Sequence, residues 1–243
     1  MFKFKMFCFS HAGGTVRHFY KWKRQQQFDI EIIPIELAGR GGRVKEPFYK
    51  NMESAVQDLY NKIVKQIDET PYVILGHSMG GILAFEITKK IQQSAHNLPI
   101  FVIVSGRRPP HIIINQFPAS HSEHDIKEIL TNLKKIGGVP ENLGNSSISE
   151  LFLPVLKADL ELIQTYDYYL NNIKLNAPLL ILYANNDPLT KEKHIEEWDC
   201  YTIKSCEFIE FEGDHFFIYK ERDKVLGLVS EKFANLWRDN IMN

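Results

Sequence analysis

Tyr72-Val73-Ile74-Leu75-Gly76-His77-Ser78-Met79-Gly80-Gly81-Ile82-Leu83-Ala84-Phe85-Glu86 joins an apolar run to a helical pattern through a short glycine-flanked turn. Tyr72–Leu75 is a short apolar run of the kind buried in a sheet, and Gly81–Ile91 reads as a helix. Between them Gly76-His77-Ser78-Met79-Gly80 has the pattern G-x-S-x-G. Three fixed residues in five arise by chance, so the pattern alone carries little. The strand before it and the helix after it supply the setting that a nucleophile elbow requires. In such a turn the serine backbone is strained and its Oγ stands clear of the sheet. Gly76 and Gly80 keep side chains out of the crowded turn, and the helix N-terminus offers partial positive charge to a developing anion. That setting favours the elbow over the bland alternative, a strand-to-helix turn with a capping serine.

Working outward, β-rich runs alternate with helical patterns. Phe2–Phe9, Ile30–Ile35, Ile100–Val104, Leu179–Tyr183 and Cys206–Phe211 read as strands. Met52–Ile67, with apolar residues at Ala55, Val56, Leu59, Ile63 and Ile67, and Lys224–Trp237 read as helices. Alternation of this kind implies an α/β fold with a mostly parallel sheet and helices on both faces. One stretch breaks the rhythm: between Gly106 and about Asn176 there is no convincing strand. Ser122 and Asp125 form a capping-box start for a helix through Lys135, ended by Gly137-Gly138. A second helical stretch covers Ser149–Leu170, with Pro154 as a kink or boundary. The expectation is one domain, residues 1–243, with an inserted helical lid at about 107–176. Ile126, Ile129, Leu130, Leu133, Leu151, Phe152, Val155, Leu156 and Leu160 are its apolar residues. Phe152 and Leu156 are the candidates for lining a substrate channel. The alternative is a structural helical layer that only packs on the body.

A serine hydroxyl is a poor nucleophile without a base. His215, in Gly213-Asp214-His215-Phe216, lies after the last strand and before the closing helix, where the chain order Ser, acid, His places it. His11 and His77 flank the expected site but do not follow the acid; His111, His121 and His124 fall in the insertion and read as solvated. Asp187 follows the Leu179–Tyr183 strand and is the expected acid, holding the imidazole tautomer. Asp214 is its rival, disfavoured because adjacent side chains rarely face each other, and Asp159 and Asp167 in the insertion are weaker still. The oxyanion hole needs two backbone N–H groups. Met79, after the nucleophile, and Ala12, in the small-residue loop Ser10-His11-Ala12-Gly13-Gly14, are the expected donors.

The totals agree with a globular enzyme. The chain has 243 residues, 44% hydrophobic and 24% charged, with a formal net charge of -1. A near-neutral balance gives no electrostatic reason for binding nucleic acid or an anionic membrane. Cys8, Cys200 and Cys206 are odd in number and form no CxxC pair, which argues against a disulfide framework or a zinc site. Reduced thiols, no membrane span of ~20 apolar residues and a Lys-interrupted N-terminus that does not read as a signal peptide point to a cytoplasmic protein.

The sequence resembles the type II thioesterases that accompany nonribosomal peptide and polyketide synthases, members of the α/β-hydrolase superfamily, nearly end to end. The resemblance rests on Phe9-Ser10-His11-Ala12-Gly13-Gly14, Phe19-Tyr20-Lys21-Trp22, Leu37-Ala38-Gly39-Arg40-Gly41-Gly42-Arg43 and Gly76-His77-Ser78-Met79-Gly80-Gly81 with Leu83-Ala84-Phe85-Glu86. It continues through Val104-Ser105-Gly106, Leu153-Pro154-Val155-Leu156-Lys157-Ala158-Asp159 and Gly213-Asp214-His215-Phe216-Phe217. The family usually has proline where Ala38 stands and an acidic residue where Gly41 stands, so a more flexible loop is expected there. Arg40 and Arg43 read as structural, pairing with carboxylates.

The resemblance implies hydrolysis of acyl thioesters from the phosphopantetheine arm of carrier proteins, with acyl or peptidyl carrier domains of a synthase as partners. It implies no metal and no dissociable cofactor, an editing role in antibiotic-type biosynthesis and a monomeric enzyme. Two other readings share the fold: a general carboxylesterase or lipase on small esters, and a catalytically silent binding protein.

Overall fold

A computed structural model describes residues 4–24, 28–94, 96–112, 130–131, 133–134, 146–168, 173–190 and 194–242. Six strands, β1 (Phe4–Phe9), β2 (Ile30–Pro34), β3 (Tyr72–His77), β4 (Val102–Ser105), β5 (Leu179–Ala184) and β6 (Cys206–Phe211), form one sheet in the order β2-β1-β3-β4-β5-β6. Every neighbouring pair is parallel. This is the α/β-hydrolase arrangement that the elbow predicts. The chain leaves β1 toward one edge, then returns past it to β3, so the strand order reverses between β1 and β3. Open α/β sheets bind ligands beyond the carboxyl ends of the strands at such a switch point. The Ser10–Gly14 loop and the elbow leave the sheet at those two strand ends.

Alternating side chains of the strands feed two cores, as a two-residue period requires. Phe7, Phe9, Ile74, Val102, Val104, Leu179 and Ile181 pack on one face with helices α2 (Met52–Val64) and α3 (Met79–Gln92). Met6, Cys8, Val73, Leu75, Ile103, Leu180 and Leu182 pack on the other with the short helices α1 (Arg17–Tyr20) and α5 (Phe217–Lys220) and the closing helix α6 (Arg222–Met242), whose Val225, Leu226, Val229 and Phe233 are buried. The central strands are buried on both sides, which is why they read as unbroken apolar runs. β2 is an edge strand and ends on Pro34, a position where a missing N–H costs no ladder bond.

Boundaries differ from the expected ones in informative places. β3 runs on to His77 and α3 begins at Met79, so Ser78 alone makes the turn. Helix α2 opens with a reciprocal capping box, Asn51 Oδ1 accepting the Ser54 N–H at 2.9 Å and Ser54 Oγ accepting the Asn51 N–H at 3.4 Å. It ends at Val64 rather than Ile67, with Met52, Ala55, Leu59 and Ile63 as its buried stripe. The insertion contributes α4 (Ser146–Gln164), and Pro154 lies inside it, exposed, rather than bounding it. Of the expected Ser122–Lys135 helix, residues 130–131 and 133–134 are described and are helical; its capping box, Gly137-Gly138, Ile126 and Ile129 lie outside the described residues. Leu133, Leu156, Leu160 and Leu189 form a third apolar cluster, with Phe152 and Phe216 against it. It sits where the insertion meets the loops carrying Asp187 and His215. Leu151 faces solvent, 71% exposed, and so departs from the apolar set expected to line or pack the lid.

Candidate active site

Ser78 adopts φ 56° and ψ −117°, a left-handed conformation costly for a side-chain-bearing residue and typical of strained functional turns. Its N–H donates to the Ser105 carbonyl at 2.7 Å, which ties the elbow to β4. Both flanking glycines are required by backbone crowding. A β-carbon on Gly76 would lie 1.9 Å from the Gly80 carbonyl oxygen, and one on Gly80 would lie 2.5 Å from the Phe9 carbonyl oxygen. The second contact also shows that the end of β1 presses against the first turn of α3.

The loops after β5 and β6 are stitched together. Asn185 Oδ1 accepts the Gly213 N–H at 3.1 Å, and the Asn186 N–H donates to the Gly213 carbonyl at 3.0 Å. This brings His215 Nδ1 to 2.7 Å from Asp187 Oδ2, with the two residues 1% and 0% exposed. Asp187 Oδ1 accepts the Leu189 N–H at 2.9 Å, which fixes the carboxylate plane. A carboxylate accepts only, so Nδ1 carries the proton and Nε2 is left as the basic nitrogen. Asp214 is turned elsewhere: Oδ1 accepts the Phe216 N–H at 3.0 Å and Oδ2 pairs with Lys220 at 2.5 Å.

His215 lies beside His77, ring centroids 4.9 Å apart. Gly106 makes room for both rings, since a β-carbon there would approach His77 Cε1 at 2.8 Å and His215 Cε1 at 3.2 Å. Among the described residues Ser78 Oγ makes no hydrogen bond to His215. In resting enzymes such bonds are often long and tighten when substrate is bound.

Ala12 lies in the loop after β1 and Met79 directly follows Ser78; these are the two expected oxyanion donors. Met79 is the first residue of α3, where helix N–H groups have no partner within the helix. The Gly14 N–H donates to the His11 carbonyl at 3.0 Å. That turns the carbonyl of the His11–Ala12 peptide inward and, because the peptide is trans, the Ala12 N–H outward.

Set beside this geometry, the family model described as Thioesterase domain matches residues 4–233. The chain belongs to the thioesterase family. Two relatives are each 28% identical over 228 residues, 92% of this thioesterase: "Gramicidin S biosynthesis protein GrsT" of Aneurinibacillus migulanus, 86% covered, and "Linear gramicidin dehydrogenase LgrE" of Brevibacillus parabrevis, 85% covered. The crystal structure of ClbQ from the colibactin NRPS/PKS pathway superposes with a TM-score of 0.85 at 30% identity, over 99% of this chain and all of ClbQ.

The thioesterase also holds features that sequence reasoning passed over. His11, His77 and His215 form a row of rings, with His11 to His77 at 6.0 Å, and exposed His18 stands 5.6 Å beyond His11. His11 Nδ1 bonds the Tyr219 hydroxyl at 2.9 Å, and His77 Nδ1 faces Ser105 Oγ at 3.1 Å. Burial, reinforced by neighbouring imidazoles, pushes the pKa of both His11 and His77 well down, so both rings are neutral. His111 is not solvated as expected: it is half-buried, with Nδ1 2.5 Å from the Tyr201 hydroxyl and Nε2 2.7 Å from Glu197. His121 and His124 lie outside the described residues.

The 38–43 loop is well tied, against the expectation of looseness. The Ala38 N–H, which proline would lack, donates to the Tyr49 hydroxyl at 3.3 Å. Gly41 has φ 50°, and a β-carbon there would meet Glu36 Oε2 at 2.1 Å. Arg43 bonds Glu46, the Glu36 carbonyl, the Tyr49 hydroxyl and Asp58.

Proposed function

We propose that this thioesterase hydrolyses acyl thioesters held on the phosphopantetheine arm of carrier proteins, with Ser78, His215 and Asp187 as its catalytic triad. The observation that carries the reading is the buried Asp187–His215 pair beside an elbow serine with left-handed backbone. His215 Nε2 takes the proton as Ser78 Oγ attacks the thioester carbonyl. The Ala12 and Met79 N–H groups hold the oxygen as it becomes anionic. The C–S bond then breaks, and His215 returns its proton to the departing thiolate. Water attacks the acyl-serine next, losing its proton to His215, and Ser78 regains it as the acid is released. Asp187 stays ionised throughout and stabilises the imidazolium.

Biosynthetic names among the relatives support a task in secondary metabolism, clearing misprimed or stalled acyl groups from a synthase; that the enzyme works in the cytoplasm, as a monomer without a cofactor, is part of the same proposal. The inserted segment with α4 serves as the lid. The dehydrogenase in the name of LgrE stays with that protein. The loop after β1 here reads Ser10-His11-Ala12-Gly13-Gly14 and has no G-x-G-x-x-G for a dinucleotide.

The test compares kcat/KM on acyl-carrier proteins bearing acetyl, longer acyl and aminoacyl groups with kcat/KM on small esters of the same acids. A preference of tenfold or more for the carrier-bound thioester is the expected result. An equal or higher rate on the small esters would replace the reading with a general esterase.

A further inference from the structure

Arg40 and Asp159 are 119 positions apart in sequence and form a buried bidentate pair. Arg40 Nη1 donates to Asp159 Oδ2 and Nη2 to Oδ1, both at 2.5 Å, and each side chain is 2% exposed. Breaking one partner of such a pair is costly, but replacing both with apolar groups is often neutral, so stability alone does not explain it. What it holds does. Asp159 Oδ2 also accepts the Gly13 N–H at 2.7 Å, and Arg40 Nη1 also donates to the Gly14 carbonyl at 3.2 Å.

These contacts converge on the turn that presents Ala12. The Gly13 N–H belongs to the Ala12–Gly13 peptide, so its bond to Asp159 sets the plane on the C-terminal side of Ala12. The Gly14-to-His11 bond sets the plane on the N-terminal side. Gly13 has φ 76°, and a β-carbon there would meet Phe152 at 3.0 Å and Leu156 at 3.2 Å. Helix α4 therefore lies directly on the turn. It supplies both the apolar cover and the carboxylate.

We propose that Asp159, oriented by Arg40, is a positioning residue for the oxyanion hole: it fixes the turn so that the Ala12 N–H is already aimed when the tetrahedral oxygen forms. This rests on the reading of Ala12 as an oxyanion donor. It makes α4 part of the reaction centre's backbone support, so an α4 displaced from the body would take the acceptor with it.

The decisive variant is Arg40→Met/Asp159→Leu, which removes the charges together and leaves the Gly13 N–H without an acceptor. Its kcat should fall about 10²-fold, the scale of a lost oxyanion donor, with KM within about threefold of wild type. Affinity for an alkyl trifluoromethyl ketone, which gives a tetrahedral oxyanion when Ser78 adds to it, should fall in parallel. Arg40→Met/Asp159→Asn leaves no buried charge, keeps an amide oxygen for the Gly13 N–H and should recover most of the lost kcat. If the Arg40→Met/Asp159→Leu variant does not fold, in vitro translation placing glycolic acid at position 13 removes that N–H alone, and a kcat loss of about tenfold or more is expected. Wild-type kcat in the folded Arg40→Met/Asp159→Leu variant or in the glycolic acid protein overturns the proposal. So does a loss confined to KM, unchanged ketone affinity, or an Arg40→Met/Asp159→Asn enzyme as impaired as the Arg40→Met/Asp159→Leu one. Wild type serves as the reference: if it neither hydrolyses the carrier-bound thioester nor captures the ketone on Ser78, the thioesterase reading itself fails.

Discussion

Asp187 Oδ2 meets His215 Nδ1 at 2.7 Å inside a region closed to solvent on both sides. The bond orients the ring and decides which nitrogen is basic. Asp187→Asn presents an amide in place of an obligate acceptor and stabilises the wrong tautomer. It should lower kcat by roughly 10⁴ with little change in melting temperature. Asp214→Asn should cost little rate, because Asp214 is engaged with Phe216 and Lys220. Steady-state kinetics on the two variants checks this, and a reversed order would reassign the acid.

Ser78→Ala should lower kcat by roughly 10⁴–10⁶ and leave the circular dichroism spectrum unchanged. Reaction of the wild-type protein with a serine-directed phosphonate, followed by peptide mass spectrometry, should find the adduct on Ser78. A modified serine elsewhere would remove it as the nucleophile.

Backbone and side chain are separable in the oxyanion hole. Ala12→Pro deletes an N–H and should cost about 10²–10³ in kcat. Met79→Ala should cost far less, and only through packing, because Met79 is 1% exposed and its proposed role uses only the main-chain N–H. A folded Ala12→Pro enzyme of full activity would place the second donor at another position.

The neutral, buried rings of His11 and His77 make stability depend on pH. In the unfolded chain both protonate near about pH 6.5, whereas in the folded protein their pKa is held well below that. Unfolding therefore takes up protons once the pH drops below the unfolded value. Stability should be full above about pH 7.5 and fall toward pH 5, by up to about 1.4 kcal/mol per pH unit for each ring. Urea unfolding across that range measures it. His77→Gln should reduce the slope by up to one proton, and a flat profile for the wild type would contradict the assignment.

Phe152 and Leu156 lie over Gly13 and in the apolar cluster that reaches Phe216. If they shape the acyl channel, Phe152→Ala and Leu156→Ala should change the order of kcat/KM across acyl lengths, each methylene being worth about 1–3 kcal/mol. A lower melting temperature with an unchanged order would mean that they only pack the helix on the body.

The parts of the site that were legible in the sequence are those set by local backbone geometry. Gly76 and Gly80 lie two residues either side of the serine they serve, and their crowding follows from the turn itself. Asp187 and His215 were placed by chain order and by the strands preceding them. The Arg40–Asp159 pair was not legible, because no local pattern links a loop after β2 to a helix in the insertion. By itself Asp159 reads as a weak acid candidate, and its partner Arg40 lies 119 positions away. His111 misled for the same reason: its contacts come from the segment around Glu197 and Tyr201. The row from His18 to His215 draws on helix α1, the loop after β1, the end of β3 and the loop after β6, so only the assembled sheet reveals it.

The order of the strands has a consequence for self-association. The described sheet ends on β2 at one side and β6 at the other. Unpaired strand edges invite a second chain to add on, and proteins blunt them with proline and charge. β2 carries Glu31 and terminates at Pro34, while β6 carries Glu207 and Glu210. Growing the sheet across β2 would set a chain against a residue with no N–H to offer, and growing it across β6 would set a strand beside one that carries a carboxylate on each face of the sheet. Both margins discourage edge-to-edge aggregation, a useful property for an enzyme whose aromatic content is 12%.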